Sequence, residues 1–103
     1  MDDALKSRIE DAIKSKKIYL FMKGTPEQPM CGFSSHAVNL LLHYKADFGS
    51  TNVSADDDIR HGIKEYSDWP TIPQLYVNGE FIGGCDIMTE MHQKGELEKV
   101  LAA

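Results

Sequence analysis

The chain has 103 residues, of which 42% are hydrophobic, and a formal net charge of −5. That size supports one domain spanning residues 1–103 around an ordinary hydrophobic core. The acidic balance argues against a nucleic-acid binder, which presents a basic patch, and no apolar stretch is long enough to cross a bilayer.

In chain order, Leu5, Ile9, Ala12 and Ile13 recur at helical spacing, which predicts a first helix over residues 3–16. Ile18-Tyr19-Leu20-Phe21-Met22 reads as a buried strand. Gly24-Thr25-Pro26 breaks it, and Pro29 stiffens the approach to Cys31. A second helix is expected over residues 33–44, with Phe33, Ala37, Leu40, Leu41 and Tyr44 on its apolar face. Residues 48–53 form a weaker strand, damaged by Gly49 and the polar run after it. Asp56 suits a helix N-cap before Ile59, Ile63 and Tyr66, so Asp56-Asp57-Asp58 reads as a helix start rather than a cation site. Gln74–Val77 and Glu80-Phe81-Ile82 flank Asn78-Gly79, a strong hairpin signal. Gly83-Gly84 ends the hairpin, and a last helix runs over residues 86–101, with Gly95 placed to kink or split it. The order αβαβαββα predicts an α/β fold with one parallel pair of strands and a terminal antiparallel hairpin.

Cys31-Gly32-Phe33-Ser34 stands at the junction of a strand–loop segment and a helix. There a thiol meets the unpaired N–H groups and partial positive charge of a helix N-terminus, which favour thiolate, the form that attacks disulfides and binds metals. Redox motifs of this kind usually carry a second cysteine at the fourth position. Ser34 cannot form a disulfide, so Cys31 needs a sulfur from elsewhere. The alternative is a structural cysteine packed as a small hydrophobe. Two cysteines this far apart are no disulfide scaffold, and a reducing compartment fits them. The acidic start Met1-Asp2-Asp3 matches neither a secretory signal nor a transit peptide, so the expected location is cytoplasmic.

This order of elements, with a cysteine after the first strand and a proline before the hairpin, resembles the thioredoxin fold, with a central four-stranded mixed sheet flanked by helices. Three motifs narrow the resemblance to monothiol glutaredoxins of the Cys-Gly-Phe-Ser class. They are Lys23-Gly24-Thr25-Pro26 through Ser34, Trp69-Pro70-Thr71-Ile72-Pro73-Gln74-Leu75-Tyr76, and Gly83-Gly84-Cys85-Asp86. The resemblance implies glutathione binding and a [2Fe–2S] cluster held between two subunits. It also implies a role in cluster transfer and iron homeostasis, with BolA-like proteins and iron–sulfur client proteins as partners. Cys31 would ligate the metal or act as the nucleophile. Lys23 would lie near Cys31, and Arg60 would meet the glycyl carboxylate of glutathione. Thr71, Ile72 and Pro73 would form a backbone clamp through a cis bond, pairing with the cysteinyl unit like one more strand. Gly84, Cys85 and Asp86 would take the γ-glutamyl end.

A [2Fe–2S] cluster wants four thiolate ligands, and one chain offers one well-placed cysteine. Two chains and two glutathione thiols would complete the set, which predicts a cluster-bridged homodimer. The competing expectation is a glutathione-dependent thiol–disulfide oxidoreductase using Cys31 alone. A third is an adaptor whose output is binding a BolA-like protein. Each candidate has a plainer reading. Lys23 and Arg60 would be surface charge, residues 71–73 a strand entry and Asp86 an N-cap. Cys85 would be inert, a backbone contact, or the partner of Cys31 in an oxidation-dependent disulfide. Trp69, Phe33 and Tyr76 read as packing residues, the methionines as core filler, and His36, His43, His61 and His92 as surface residues.

Overall fold

The first strand shows how the core is divided in the computed structural model, which describes residues 1–103. β1 (Ile18–Met22) is buried along its whole length. Ile18, Leu20 and Met22 join a cluster with Ala37, Leu41 and Met88, while Tyr19 and Phe21 join another with Ile9, Ile13, Ile59 and Ile63. Successive side chains of a strand point to opposite faces, so a strand covered on both faces is apolar at every position. On the first face lie α2 (Gly32–His43), α4 (Cys85–Gln93) and α5 (Leu97–Ala102). On the other lie α1 (Asp3–Ser15) and α3 (Asp57–Ser67).

The sheet has four strands in the order β2-β1-β3-β4, with β2 spanning Phe48–Asn52, β3 Gln74–Val77 and β4 Glu80–Gly83. β1 pairs parallel with β2 and antiparallel with β3, and β3 pairs antiparallel with β4. This is the mixed sheet of the thioredoxin fold. Asn78 and Gly79 close the hairpin with φ of 53° and 81°, the conformation a two-residue turn of this kind requires.

The acidic run does start a helix. Asp56 accepts the Ile59 amide at 3.2 Å and the Arg8 guanidinium at 2.5 Å. Gly49 is part of β2 for a steric reason. The Tyr19 ring lies across it, and a Cβ there would sit 2.7 Å from Tyr19 Cε2. The weak strand therefore forms because its small residue receives an aromatic neighbour from β1. It stops at Asn52 and passes into a 3-10 turn, Val53–Ala55. Gly95, at φ 72°, splits the expected last helix into α4 and α5.

Three sequence expectations are corrected. Phe33 does not join the apolar face of α2 but stands 66% exposed in its first turn. Met30 is not core filler either, being 68% exposed. His92 is half-buried rather than a free surface residue, its Nδ1 lying 2.5 Å from the Tyr44 hydroxyl. Sequence spacing within one helix cannot reveal such a contact, because it joins α2 to α4.

Candidate functional site

The carboxyl end of β1 leads into a loop tied at several points. The Met30 amide donates to the Lys23 carbonyl at 2.9 Å, and Thr25 and Gln28 exchange backbone hydrogen bonds at 3.0 and 3.1 Å. The Gly24 amide donates to Asn52 Oδ1 at 2.9 Å. Gly24 has φ +89°, and a Cβ there would lie 2.4 Å from the Gln28 carbonyl oxygen, so only glycine fits. The loop thus delivers the chain to Cys31 in a defined path.

Cys31 is the N-cap of α2. Its Sγ accepts the Ser34 amide at 3.3 Å and lies 3.3 Å from the Ser34 hydroxyl. Ser34 is fully buried, and its Oγ also accepts the Lys23 amide at 3.0 Å. One hydroxyl therefore joins the end of β1 to the thiol. Partial burial pushes the Cys31 thiol up. Hydrogen bonds from the Ser34 hydroxyl and from the Ser34 and Phe33 amides, together with the Lys23 charge, outweigh that and hold it below the ordinary thiol range. Cys85 goes the other way. Burial raises it, and the charges of Asp86 and Cys31 add to that rise against a lowering hydrogen bond from Thr89. Both cysteines are free.

Beside this thiol is a cavity of about 360 Å³. Lys23, Phe33 and Lys64 of α3 line it, together with the Trp69-to-Pro73 segment and the start of α4. The Ile72–Pro73 bond is cis, as the resemblance implied. Gln74, also fully buried, positions that segment. Its Nε2 donates to the carbonyls of Trp69 at 3.0 Å and Thr71 at 3.2 Å, and its Oε1 accepts the Tyr76 hydroxyl at 3.4 Å. Gly84 lies under the same segment, where a Cβ would meet the Pro73 carbonyl oxygen at 3.1 Å and Trp69 Nε1 at 3.4 Å. α4 then starts with no side-chain cap, which leaves first-turn N–H groups available.

Of the residues picked out from sequence, Lys23, Thr71, Ile72, Pro73, Gly84, Cys85 and Asp86 all line this cavity. Cys31 stands half-exposed at the start of α2, close enough for its charge to act on Cys85. Arg60 is not in the lining and pairs with Asp57 at 3.1 Å. Lys64, one helical turn beyond Arg60, lines the cavity and was not picked out. Its signal was the i, i+4 relation to Arg60 on the same helix face. Trp69 and Phe33, read as packing residues, line it too. Gln74 and Ser34 were read only as members of their motifs, because a polar residue betrays its structural role only once its burial is known.

No group of three or more histidine, cysteine or acidic side chains is placed to hold a metal ion. The chain's contribution to any iron–sulfur cluster would be a single thiolate from Cys31. That donor set fits a [2Fe–2S] group only if other molecules supply the remaining ligands.

The glutaredoxin sequence profile matches residues 18–82. Monothiol glutaredoxin-S11 of Oryza sativa subsp. japonica is 52% identical over 96% of this chain, which spans 20% of that protein's length. An uncharacterized monothiol glutaredoxin, ycf64-like, of Synechocystis is 52% identical over 98% of this chain and 94% of its own. The solution structure of a monomeric truncated mutant of Trypanosoma brucei 1-C-Grx1 superposes with a TM-score of 0.85. It is 43% identical and covers 94% of this chain and 88% of its own. With its single cysteine in Cys31-Gly32-Phe33-Ser34 at the head of α2, the chain belongs to the glutaredoxin family, in its monothiol branch.

Proposed function

We propose that this protein binds glutathione in the cavity beside Cys31 and carries a [2Fe–2S] cluster, as cargo, between two copies of itself. The carrying observation is the pairing of one thiolate-favouring cysteine with a cationic cavity and no second sulfur at position 34. Glutathione has two carboxylates and one ammonium. Lys23 and Lys64 supply positive charge at the cavity of an otherwise acidic protein. Arg60, a turn away, would reach a ligand carboxylate by exchanging its Asp57 partner. The backbone of Ile72, beside Thr71 and Pro73, would pair with the cysteinyl unit. The first turn of α4, with Gly84 and Cys85, would hold the γ-glutamyl carboxylate, and Asp86 its ammonium.

Held so, the glutathione thiol would lie near Cys31, and two such pairs would supply four thiolates. Ligands that exchange freely suit transfer of the cluster to iron–sulfur client proteins, and BolA-like proteins are the partners proposed for the dimer. Two half-exposed free thiols suit a reducing compartment, and the cytoplasm is the location proposed.

The lowered Cys31 thiol also favours a second reading, a thiol–disulfide oxidoreductase. Cys31 thiolate would attack the glutathione sulfur of a glutathionylated protein and release the protein thiol. A second glutathione thiolate would then free Cys31, leaving glutathione disulfide.

Anaerobic reconstitution with glutathione, iron and sulfide tests the choice, read by absorbance and by mass from light scattering. The carrier reading expects a brown dimer with two irons per pair of chains, lost in Cys31→Ser and on removing glutathione. A colourless monomer, together with deglutathionylation turnover, would replace it with the enzyme reading.

A further inference from the structure

α2 and α4 lie side by side, and each begins at the site, α2 at Cys31 and α4 at Gly84. Two polar contacts join them. At the far end the Tyr44 hydroxyl lies 2.5 Å from His92 Nδ1. Nearer the site, His36 Nε2 lies 3.0 Å from Thr89 Oγ1, and Thr89 Oγ1 donates to the Cys85 carbonyl at 2.8 Å. A threonine hydroxyl has one proton. Because the Cys85 carbonyl takes it, the His36 contact has its direction fixed: His36 Nε2–H donates and Thr89 accepts. The result is a directed chain, His36 to Thr89 to the Cys85 carbonyl, that runs from α2 into the first turn of α4. A second cavity, of about 400 Å³, separates the two helix starts and is lined by Gly32, Phe33, His36, Cys85, Asp86 and Thr89. Ala37, Leu41 and Met88 pack the two helices together in the core, and at the exposed rim of that packing the His36–Thr89 contact is the polar bridge beside the helix starts.

We propose that His36 is a positioning residue for the ligand cavity. Through Thr89 it holds Cys85 and Asp86 at their place opposite the Cys31 end of α2. The consequence for affinity rests on the glutathione reading above. The consequence for the α4 turn does not.

The test uses the full chain and five variants: His36→Leu, His36→Gln, Thr89→Val, the His36→Leu/Thr89→Val double, and Tyr44→Phe. Glutathione affinity is read by calorimetric titration. Exchange of the Met88 amide, which donates to the Gly84 carbonyl at 3.0 Å, is read by NMR without ligand. His36→Leu and Thr89→Val should each weaken glutathione binding by about 3- to 10-fold, the value of one modest hydrogen bond. The double variant should be no weaker than Thr89→Val, because both remove one chain of contacts. His36→Gln, which keeps an N–H donor, should stay within about twofold of the parent, as should Tyr44→Phe at the remote contact. Met88 exchange should quicken in His36→Leu, while the Lys94 amide at the other end of α4 stays unchanged. Unchanged affinity and unchanged Met88 exchange in His36→Leu overturn the proposal. So does an equal loss in Tyr44→Phe, which would mean general loosening of the helix pair. A parent chain that does not bind glutathione refutes the earlier reading, and Met88 exchange then decides this one alone.

Discussion

Removing the Ser34 hydroxyl should change both stability and reactivity, because one buried oxygen has two partners. Ser34→Ala deletes the acceptor of the Lys23 amide at 3.0 Å and the hydroxyl 3.3 Å from Cys31 Sγ. The Lys23 amide is partly buried, and its orphaning costs about 1–2 kcal/mol, the lower part of the range for an unsatisfied donor. For a domain of this size that is a fall in Tm of roughly 4–8 °C per kcal/mol. Ser34→Cys offers sulfur, a weak acceptor, and should restore little of it. The hydroxyl also helps to hold the Cys31 thiol below its ordinary range, so its loss lets that thiol rise. A thiol lower in the folded than in the unfolded state adds stability above its unfolded pKa, and that contribution is lost as pH falls through the folded value. The gap between parent and Ser34→Ala should therefore widen on the alkaline side. Urea unfolding across pH and the pH dependence of iodoacetamide alkylation, both in a Cys85→Ser background, measure the two effects. A stability change under about 0.5 kcal/mol with an unmoved alkylation midpoint would refute the bridging role of Ser34.

Asp56 is held below the usual carboxylate range first by the Ile59 amide and then by Arg8. Its contribution is present above about pH 4, the unfolded value, and fades as pH falls through the folded one. Asp56→Ala should cost about 1–2 kcal/mol at neutral pH, while Asp56→Asn keeps the cap and flattens the acid limb of a pH–stability curve. Gly83 has φ +152°, and a Cβ would lie 2.6 Å from Ile87 Cβ. Gly83→Ala should lose roughly 2 kcal/mol or more by urea denaturation, and a neutral result would contradict the close approach of β4 and α4. Lys64→Gln should weaken glutathione binding by about 3- to 10-fold at low salt. The difference should shrink near 1 M salt, where the screening length falls to about 3 Å. An effect insensitive to salt would deny Lys64 an ionic role.

Local chemistry made much of the fold legible. An all-apolar run between helical patterns announced β1, an asparagine–glycine pair announced the hairpin, and Asp56 announced α3. The cavity residues followed from motif resemblance, and the fold brings Lys23, Thr71, Ile72, Pro73, Gly84, Cys85 and Asp86 to one cavity. Other features depended on partners distant in sequence. Gly49 weakens a strand on propensity, yet Tyr19 covers it. Phe33 fits the apolar periodicity of α2, yet it stands 66% exposed on the wall of the cavity, while Ser34 beside it is the residue buried in that turn.

The chain's residue pattern therefore specified the order of elements, the fully apolar first strand and the place of Cys31 before a helix. These follow from hydrophobic period and turn chemistry, both properties of neighbouring residues. Packing alone selected Lys64 over Arg60 as a cavity wall, turned Ser34 and Gln74 into internal struts, and set His36 against Thr89. Those roles depend on which atoms meet across elements many residues apart. A polar group also acquires its importance only when burial removes the water that would otherwise satisfy it.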